Sequence, residues 1–260
     1  MWLRYKTAYA EYFDIDIISV GNLNVGGSGK TPLVSALAAR DEDVAIILRG
    51  YGRESKGLFI VKDRNKILCD VKTSGDEAMI YAKKLQHAVV IVSEDRKVAI
   101  KKAKEMGVKR IYLDDGYSKH TIKKRDILIA INSKNSFCLP AGPFRERLWH
   151  GKKALVVEEN KDFIRKVSLK HAEQKMSLVT AIARPQRLDK YLPDVVKKHY
   201  FEDHHSFTKE ELEKILQEDG SQSLLVTFKD YVKIENFGLP LSLLDLELEL
   251  NETSFKKFVS

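Results

Sequence analysis

Short apolar runs separated by charged, helix-forming stretches recur along the first half of the chain. Residues 15–20, 44–48, 88–92, 110–113 and 126–131 are rich in Ile, Val and Leu. Each is too short for a helix and reads as a strand buried on both faces. Residues 32–39 and 97–106 read as helices between them. Strands alternating with helices predict an α/β fold: a mostly parallel sheet with helices on both faces. Residues 57–71 read as a hairpin around Asp63-Arg64-Asn65. Ser74, followed by Glu77, predicts a capping box opening the next helix. At the start, Trp2, Tyr5, Tyr9 and Tyr12 recur at helical spacing and predict an aromatic-faced helix.

The alternation breaks over residues 137–146, which carry Pro140, Gly142 and Pro143. A boundary there predicts a core of residues 1–150 and a second, smaller α/β unit of residues 151–260. Strands are expected there at 175–183, 195–201, 224–228 and 243–250. Helices are expected at 185–192 and after Thr208, with Glu211 at the capping-box position.

The first strand runs into Asn24-Val25-Gly26-Gly27-Ser28-Gly29-Lys30-Thr31. Strand, glycine-rich turn, Lys-Thr and helix together describe a phosphate-binding loop of the P-loop NTPase kind. Backbone N–H groups of such a turn converge on phosphate oxygens, and the helix N-terminus adds positive potential. Lys30 is placed to reach the β/γ-phosphates and Thr31 to ligate Mg²⁺. Asn24 stands where the pattern asks for glycine, and Asn tolerates left-handed backbone better than most residues. A nucleoside triphosphate and Mg²⁺ are the expected ligands of such a loop.

Polar groups also end the other strands, where open parallel sheets bind ligands. They are Arg49, Asp95, and the pair Asp114-Asp115. A carboxylate at a strand end is the usual second partner of the metal, which suits Asp114 and Asp115. Asp95 is placed either to accept the proton of an acceptor hydroxyl or to cap the helix behind it. His204 is a candidate to assist it.

Composition narrows the partners. The chain has 260 residues and a formal net charge of +8, which favours an anionic ligand or surface. Cys69 and Cys138 show no metal-ligand spacing and read as free thiols. No apolar run approaches the roughly 20 residues of a membrane span. No nucleic-acid recognition motif accompanies the charge.

Taken together, the motifs resemble the tetraacyldisaccharide 4′-kinases of lipid A biosynthesis. The resemblance is carried by Ser19-Val20-Gly21-Asn22-Leu23 and the glycine loop; Arg49-Gly50-Tyr51; Gly75-Asp76-Glu77; Ser93-Glu94-Asp95-Arg96; Asp114-Asp115-Gly116-Tyr117; Arg125-Asp126; and Leu139-Pro140-Ala141-Gly142-Pro143-Phe144-Arg145-Glu146. Asp203-His204 and Thr227-Phe228-Lys229-Asp230 extend it towards the C-terminus. It implies ATP-dependent phosphorylation of the 4′-hydroxyl of a lipid disaccharide 1-phosphate, by a protein peripheral to the cytoplasmic face of an inner membrane. It implies that Asp95 and His204 act as a catalytic pair, that Lys30 and Thr31 serve ATP and Mg²⁺, and that Arg145 and Glu146, with Arg49, line the substrate site. The family's His after Asp-Asp-Gly matches His120 only across a one-residue insertion. Two other readings of the loop stand beside this one: a kinase of another acceptor, and an ATPase that switches a protein partner.

Overall fold

The computed structural model describes residues 8–24, 29–130, 135 and 137–259. They divide into two compact units, one of Met1–Arg165 with Leu248–Ser260, the other of Lys166–Glu247.

The first unit is built on a seven-stranded sheet. Its strands are β1 (Asp16–Asn22), β2 (Val44–Leu48), β3 (Phe59–Lys62), β4 (Val89–Val92), β5 (Arg110–Asp114), β6 (Arg125–Ile129) and β7 (Leu155–Val157). The order across the sheet is β3-β4-β2-β5-β1-β6-β7. All neighbours run parallel except β3, which joins β4 antiparallel at the edge. Register is fixed by two buried faces. Ile17, Ala45, Ile47, Val89, Ile91, Ile111 and Leu113 pack with Ala99, Ile100 and Ala103 of one helix. The alternate positions Ile18, Val20, Ile46, Leu48 and Val90 are buried as well. A slip of one residue would exchange the two sets. Each Val, Ile or Leu among them contributes about 1.5–3 kcal/mol by leaving water.

The helices of this unit are α1 (Lys30–Ala38), α2 (Val71–Ser74), α3 (Asp76–Lys84), α4 (Arg96–Glu105) and, near the C-terminus, α7 (Glu252–Val259). Helix α1 packs on β1, β2 and β5. The parallel sheet and its helices are those expected from the alternating runs.

The second unit holds a five-stranded sheet of order β10-β9-β11-β12-β8. The strands are β8 (Phe163–Lys170), β9 (Met176–Thr180), β10 (Lys198–Tyr200), β11 (Ser223–Thr227) and β12 (Leu241–Leu250). Its helices are α5 (Lys209–Asp219) and α6 (Phe228–Ile234), with a 3₁₀ turn at Pro185–Tyr191 in place of the expected α-helix. Thr208 caps α5 by accepting from Glu211 N, as expected.

Four expectations need correction. The division falls at Arg165, not near residue 150, because β7 hydrogen-bonds to β6 and keeps the following stretch with the first sheet. The C-terminal residues also belong to that unit. Ser74 is not a helix N-cap: Asp70 caps the short α2, and Gly75 at φ 84° separates it from α3. The hairpin turns at Asp63-Arg64-Asn65 as expected but its return leg is short: Lys62 bridges to Ile67 and Leu68 N donates to the Val61 carbonyl, while the other edge of β3 pairs with β4. Tyr9 and Tyr12 lie in irregular backbone, where Glu11 bridges to Ile122. Trp2 and Tyr5 lie outside the described residues.

Candidate active site

Val25, Gly26, Gly27 and Ser28 lie outside the described residues, so the site is built from the two ends of the glycine loop. Asn22, at the end of β1, donates from Nδ2 to the carbonyl of Asn24 at 2.8 Å. Asn24 does not use left-handed backbone. It is buried and bridges to Phe144 instead. At the far end Gly29 takes φ 87° and starts α1. A side chain there would meet the Arg165 guanidinium at 2.9 Å. Arg165, on β8, is therefore a cation at the loop that sequence reasoning missed, because a lone Arg in a half-exposed strand carries no signal.

Lys30, the first residue of α1, turns back to the strand ends. Its ammonium donates to Asn22 Oδ1 at 3.2 Å and stands 3.7 Å from Asp115 Oδ1. Arg145 meets the same two groups: Nη2 donates to Asn22 Oδ1 at 3.0 Å and forms an ion pair with Asp115. The Arg145 ion pair and the nearby Lys30 hold the Asp115 carboxyl below the usual range despite burial.

Asp114 behaves in the opposite way. It is 3% exposed, and burial together with the charge of Glu77 pushes its pKa up to about 7. Its Oδ2 accepts from the Tyr81 hydroxyl at 2.8 Å. Its Oδ1 has no hydrogen-bond partner among the described residues. Thr31 is bonded to the same Tyr81 hydroxyl, which places it beside Asp114. A buried carboxylate oxygen without a donor, next to a threonine hydroxyl, is a suitable oxygen pair for a hard divalent cation.

A second group of charges is basic. Arg96, buried at the start of α4, donates to the carbonyl of Ser93. Burial lowers its pKa to about 10, while Asp114 and Asp115 support its charge and Arg49 and Arg53 oppose it. Lys119 is lowered by burial and by the same Arg96 and Arg49. Arg49, Arg96 and Lys119 thus form one positive region beside the acidic pair, suited to a phosphate, whereas Arg53 is already paired with Glu94 at 2.6 Å.

Asp95 is a helix cap. Its Oδ1 accepts from Lys97 N at 2.8 Å and Val98 N at 3.4 Å. Of the two sequence readings, capping is the one visible in the structure. The acidic groups acting on Asp114 are Glu77, in the first turn of α3 with Asp76, and the adjacent Asp115. Gly75 before them fits under the carbonyl of Tyr51, which brings the Arg49-Gly50-Tyr51 turn to the start of α3.

Glu146 does not point at Asp115. It is buried, and its Oε1 lies 2.8 Å from His120 Nε2. The insertion before His120 is therefore accommodated, and this imidazole has a fixed acidic partner. His204 lies in the second unit at φ 67°, with Asp203 and Lys229 as neighbours: Lys229 Nζ donates to Asp203 Oδ1 at 2.8 Å and lies 3.5 Å from His204 Nε2.

The family model described as "Tetraacyldisaccharide-1-P 4'-kinase" matches residues 2–167 and 158–260, which is nearly the whole chain. The chain belongs to this family. A tetraacyldisaccharide 4′-kinase of Aliarcobacter butzleri (strain RM4018) is 49% identical over 250 residues, covering 92% of this chain and 80% of that protein. One from Helicobacter pylori (strain HPAG1) is 46% identical, covering 98% and 83%. Among solved structures, the "apo" form of LpxK from Aquifex aeolicus in complex with ATP matches with a TM-score of 0.75 and 27% identity. It covers 98% of this chain and 91% of that one. The parallel sheet with its glycine loop is thus the fold of a 4′-kinase family, and the expected fold class holds.

Proposed function

We propose that the chain is an ATP-dependent kinase transferring the γ-phosphate to the 4′-hydroxyl of a tetraacyldisaccharide 1-phosphate. The observation that carries this reading is the convergence of Lys30, Asp115, Arg145 and the unpartnered Oδ1 of Asp114 at one end of the parallel sheet. They meet where the glycine loop leaves β1, in a chain of the 4′-kinase family.

Lys30 is free to exchange its bond to Asn22 for phosphate oxygens, keeping its charge beside Asp115. Thr31 and Asp114 would hold Mg²⁺ through oxygen, the remaining positions falling to phosphate and water. The metal, when bound, neutralises charge on the transferred phosphoryl group. This accounts for the absence, among the described residues, of any cluster of three acidic, His or Cys ligands. Arg145 is poised to follow the charge as it develops, since its present partner Asp115 lies next to Asp114. The basic group of Arg49, Arg96 and Lys119 suits the phosphate of the acceptor. For the membrane, exposed Tyr9 and Tyr12 and the net charge of +8 support peripheral contact with an acidic lipid surface on the cytoplasmic face of the inner membrane. Among the described residues no helix is long and apolar enough to cross a membrane.

The proton of the sugar hydroxyl needs a base. Asp95, with His204, is one proposal, and its Oδ2 takes no part in the helix cap. A second reading is favoured by the placement of α3: Asp76 is the neighbour of Glu77, which acts directly on Asp114. Asn caps a helix as well as Asp does, so Asp95→Asn removes the base and keeps the cap. Loss of transfer in Asp95→Asn, with Asp76→Asn active, assigns Asp95; the reverse assigns Asp76.

The reaction itself is tested with γ-labelled ATP and the disaccharide 1-phosphate in mixed micelles. Label is expected in the lipid, and Lys30→Ala should lower the rate on the order of 100-fold or more. ATP hydrolysis stimulated by a protein partner, with no labelled lipid, would instead make the chain a switching ATPase.

A further inference from the structure

Behind the site lies a buried charged group that the transfer reaction does not itself require. Lys152, just before β7, is largely enclosed, and its ammonium has three acceptors. They are the carbonyl of Tyr117 at 2.9 Å, Nδ1 of His120 at 3.1 Å and Oδ2 of Asp126 at 3.3 Å. The Nζ also stands 3.5 Å from the centroid of the Tyr117 ring. Asp126 is itself fixed in the sheet. Its Oδ1 accepts from Ser19 on β1 and pairs with Lys124 at 3.1 Å.

An ammonium has only donors, so Nδ1 of His120 must present its lone pair to Lys152. A neutral imidazole then carries its proton on Nε2, and that proton points at Glu146 Oε1, 2.8 Å away. Glu146 is also tied through its backbone N–H to the carbonyl of Leu23, at 3.2 Å. Arg145, the preceding residue, bonds the same carbonyl at 2.8 Å and carries its guanidinium to Asn22 and Asp115.

We infer that Lys152 is a positioning residue for phosphoryl transfer: donating to Nδ1, it holds His120 as a neutral Nε2–H imidazole fixed from both sides, and His120 thereby anchors Glu146 and sets Arg145 against Asp115 and Lys30. The chain of contacts runs from the middle of the sheet (Ser19, Asp126) to the strand ends. From Ser19 to Glu146 the links are side chain to side chain, and from Glu146 to Arg145 they pass through the backbone and the shared Leu23 carbonyl. Burial also lowers the affinity of Lys152 for its proton, to a pKa of about 8, so the charge is held by Asp126 and Glu146 nearby. Without the ammonium nothing keeps a proton off Nδ1; Nε2 still donates to the Glu146 carboxylate, but the ring has lost the donor that fixes it from the other side, and its hold on Glu146 loosens.

The inference rests on the kinase reading above, and two measurements separate their failures. The first needs no activity. In ¹⁵N spectra of the ligand-free protein at pH 7.5, with His120 identified by its loss in His120→Gln, Nδ1 should be unprotonated and Nε2 protonated. In Lys152→Met Nδ1 should become protonated as well, wholly or in part, with Nε2 still carrying its proton. A proton on Nδ1 in the unmodified protein overturns the inference. The second is the labelled-lipid assay. Lys152→Met should lower kcat on the order of 100-fold, as misplacement of a positioned group does, with KM for ATP changed less than about threefold. Lys152→Arg, which keeps donors at this place, should recover part of kcat. Equal kcat in Lys152→Met and the unmodified protein overturns the inference while leaving the kinase reading intact. No labelled lipid from the unmodified protein overturns the kinase reading alone.

Discussion

The two oxygens of Asp114 have unlike surroundings, one bonded to Tyr81 and one without a donor among the described residues. Its pKa of about 7 in the folded protein lies above the ordinary value of 3.8. Between these values the folded state keeps a proton that the unfolded state releases, so stability falls as pH rises through that window. Ligand-free protein should therefore lose on the order of 3 kcal/mol between pH 4 and pH 8 relative to Asp114→Asn, in which nothing titrates at this place. Denaturant melts of both proteins at the two pH values measure it, and parallel profiles would remove the claim. At this scale the sequence made Lys30, Asp114, Asp115 and Arg145 legible, because each sits at a strand end or in a short motif. The pairs His120–Glu146 and Lys152–Asp126 were not legible. Their partners are 26 residues apart in each case and share no periodicity with any element. Asp95 shows the converse limit: one residue type serves as cap and as base, and only the hydrogen bonds tell which role is visible.

Among the elements, the buried strands were read correctly where both faces are apolar, as in β2 and β4, since a continuous run needs no phase. β7 and β8 escaped notice. β7 is three residues long, and β8 has an almost wholly polar outer face. The start of α3 was misplaced because Ser74 and Glu77 imitate a capping box, while the backbone follows Gly75 instead. That glycine sits at φ 84° and ψ 157°, a region closed to other residues, with the Tyr51 carbonyl 3.1 Å from where a Cβ would stand. Gly75→Ala should cost about 2 kcal/mol and disturb the turn that carries Arg49. Denaturation together with the KM for the lipid acceptor checks both effects; an unchanged KM would separate the turn from acceptor binding.

At the level of the whole molecule, the sequence showed two α/β units but not how the chain is shared between them. The C-terminal residues return to the first unit by specific contacts. Asn251 N donates to the Asp162 carbonyl at 2.8 Å, Ser254 Oγ to Asp162 Oδ1 at 2.7 Å, and Arg40 meets both oxygens of Glu252. Phe255 is 1% exposed. Phe255→Ala should destabilise by about 3 kcal/mol. Hydrogen exchange should then quicken in β1 and β5 before it does in β9 and β11, and the reverse order would place Phe255 with the other unit. No composition shift marks this return, so no reading of local pattern finds it.

That return also sets an order of events during synthesis. Lys166–Glu247 is a single uninterrupted stretch, whereas the nucleotide-side unit is written in two pieces around it. A ribosome delivers the whole of the inserted unit before it delivers Phe255. The unit that holds the glycine loop must therefore wait, with its core still missing a side chain, while its guest is already able to fold.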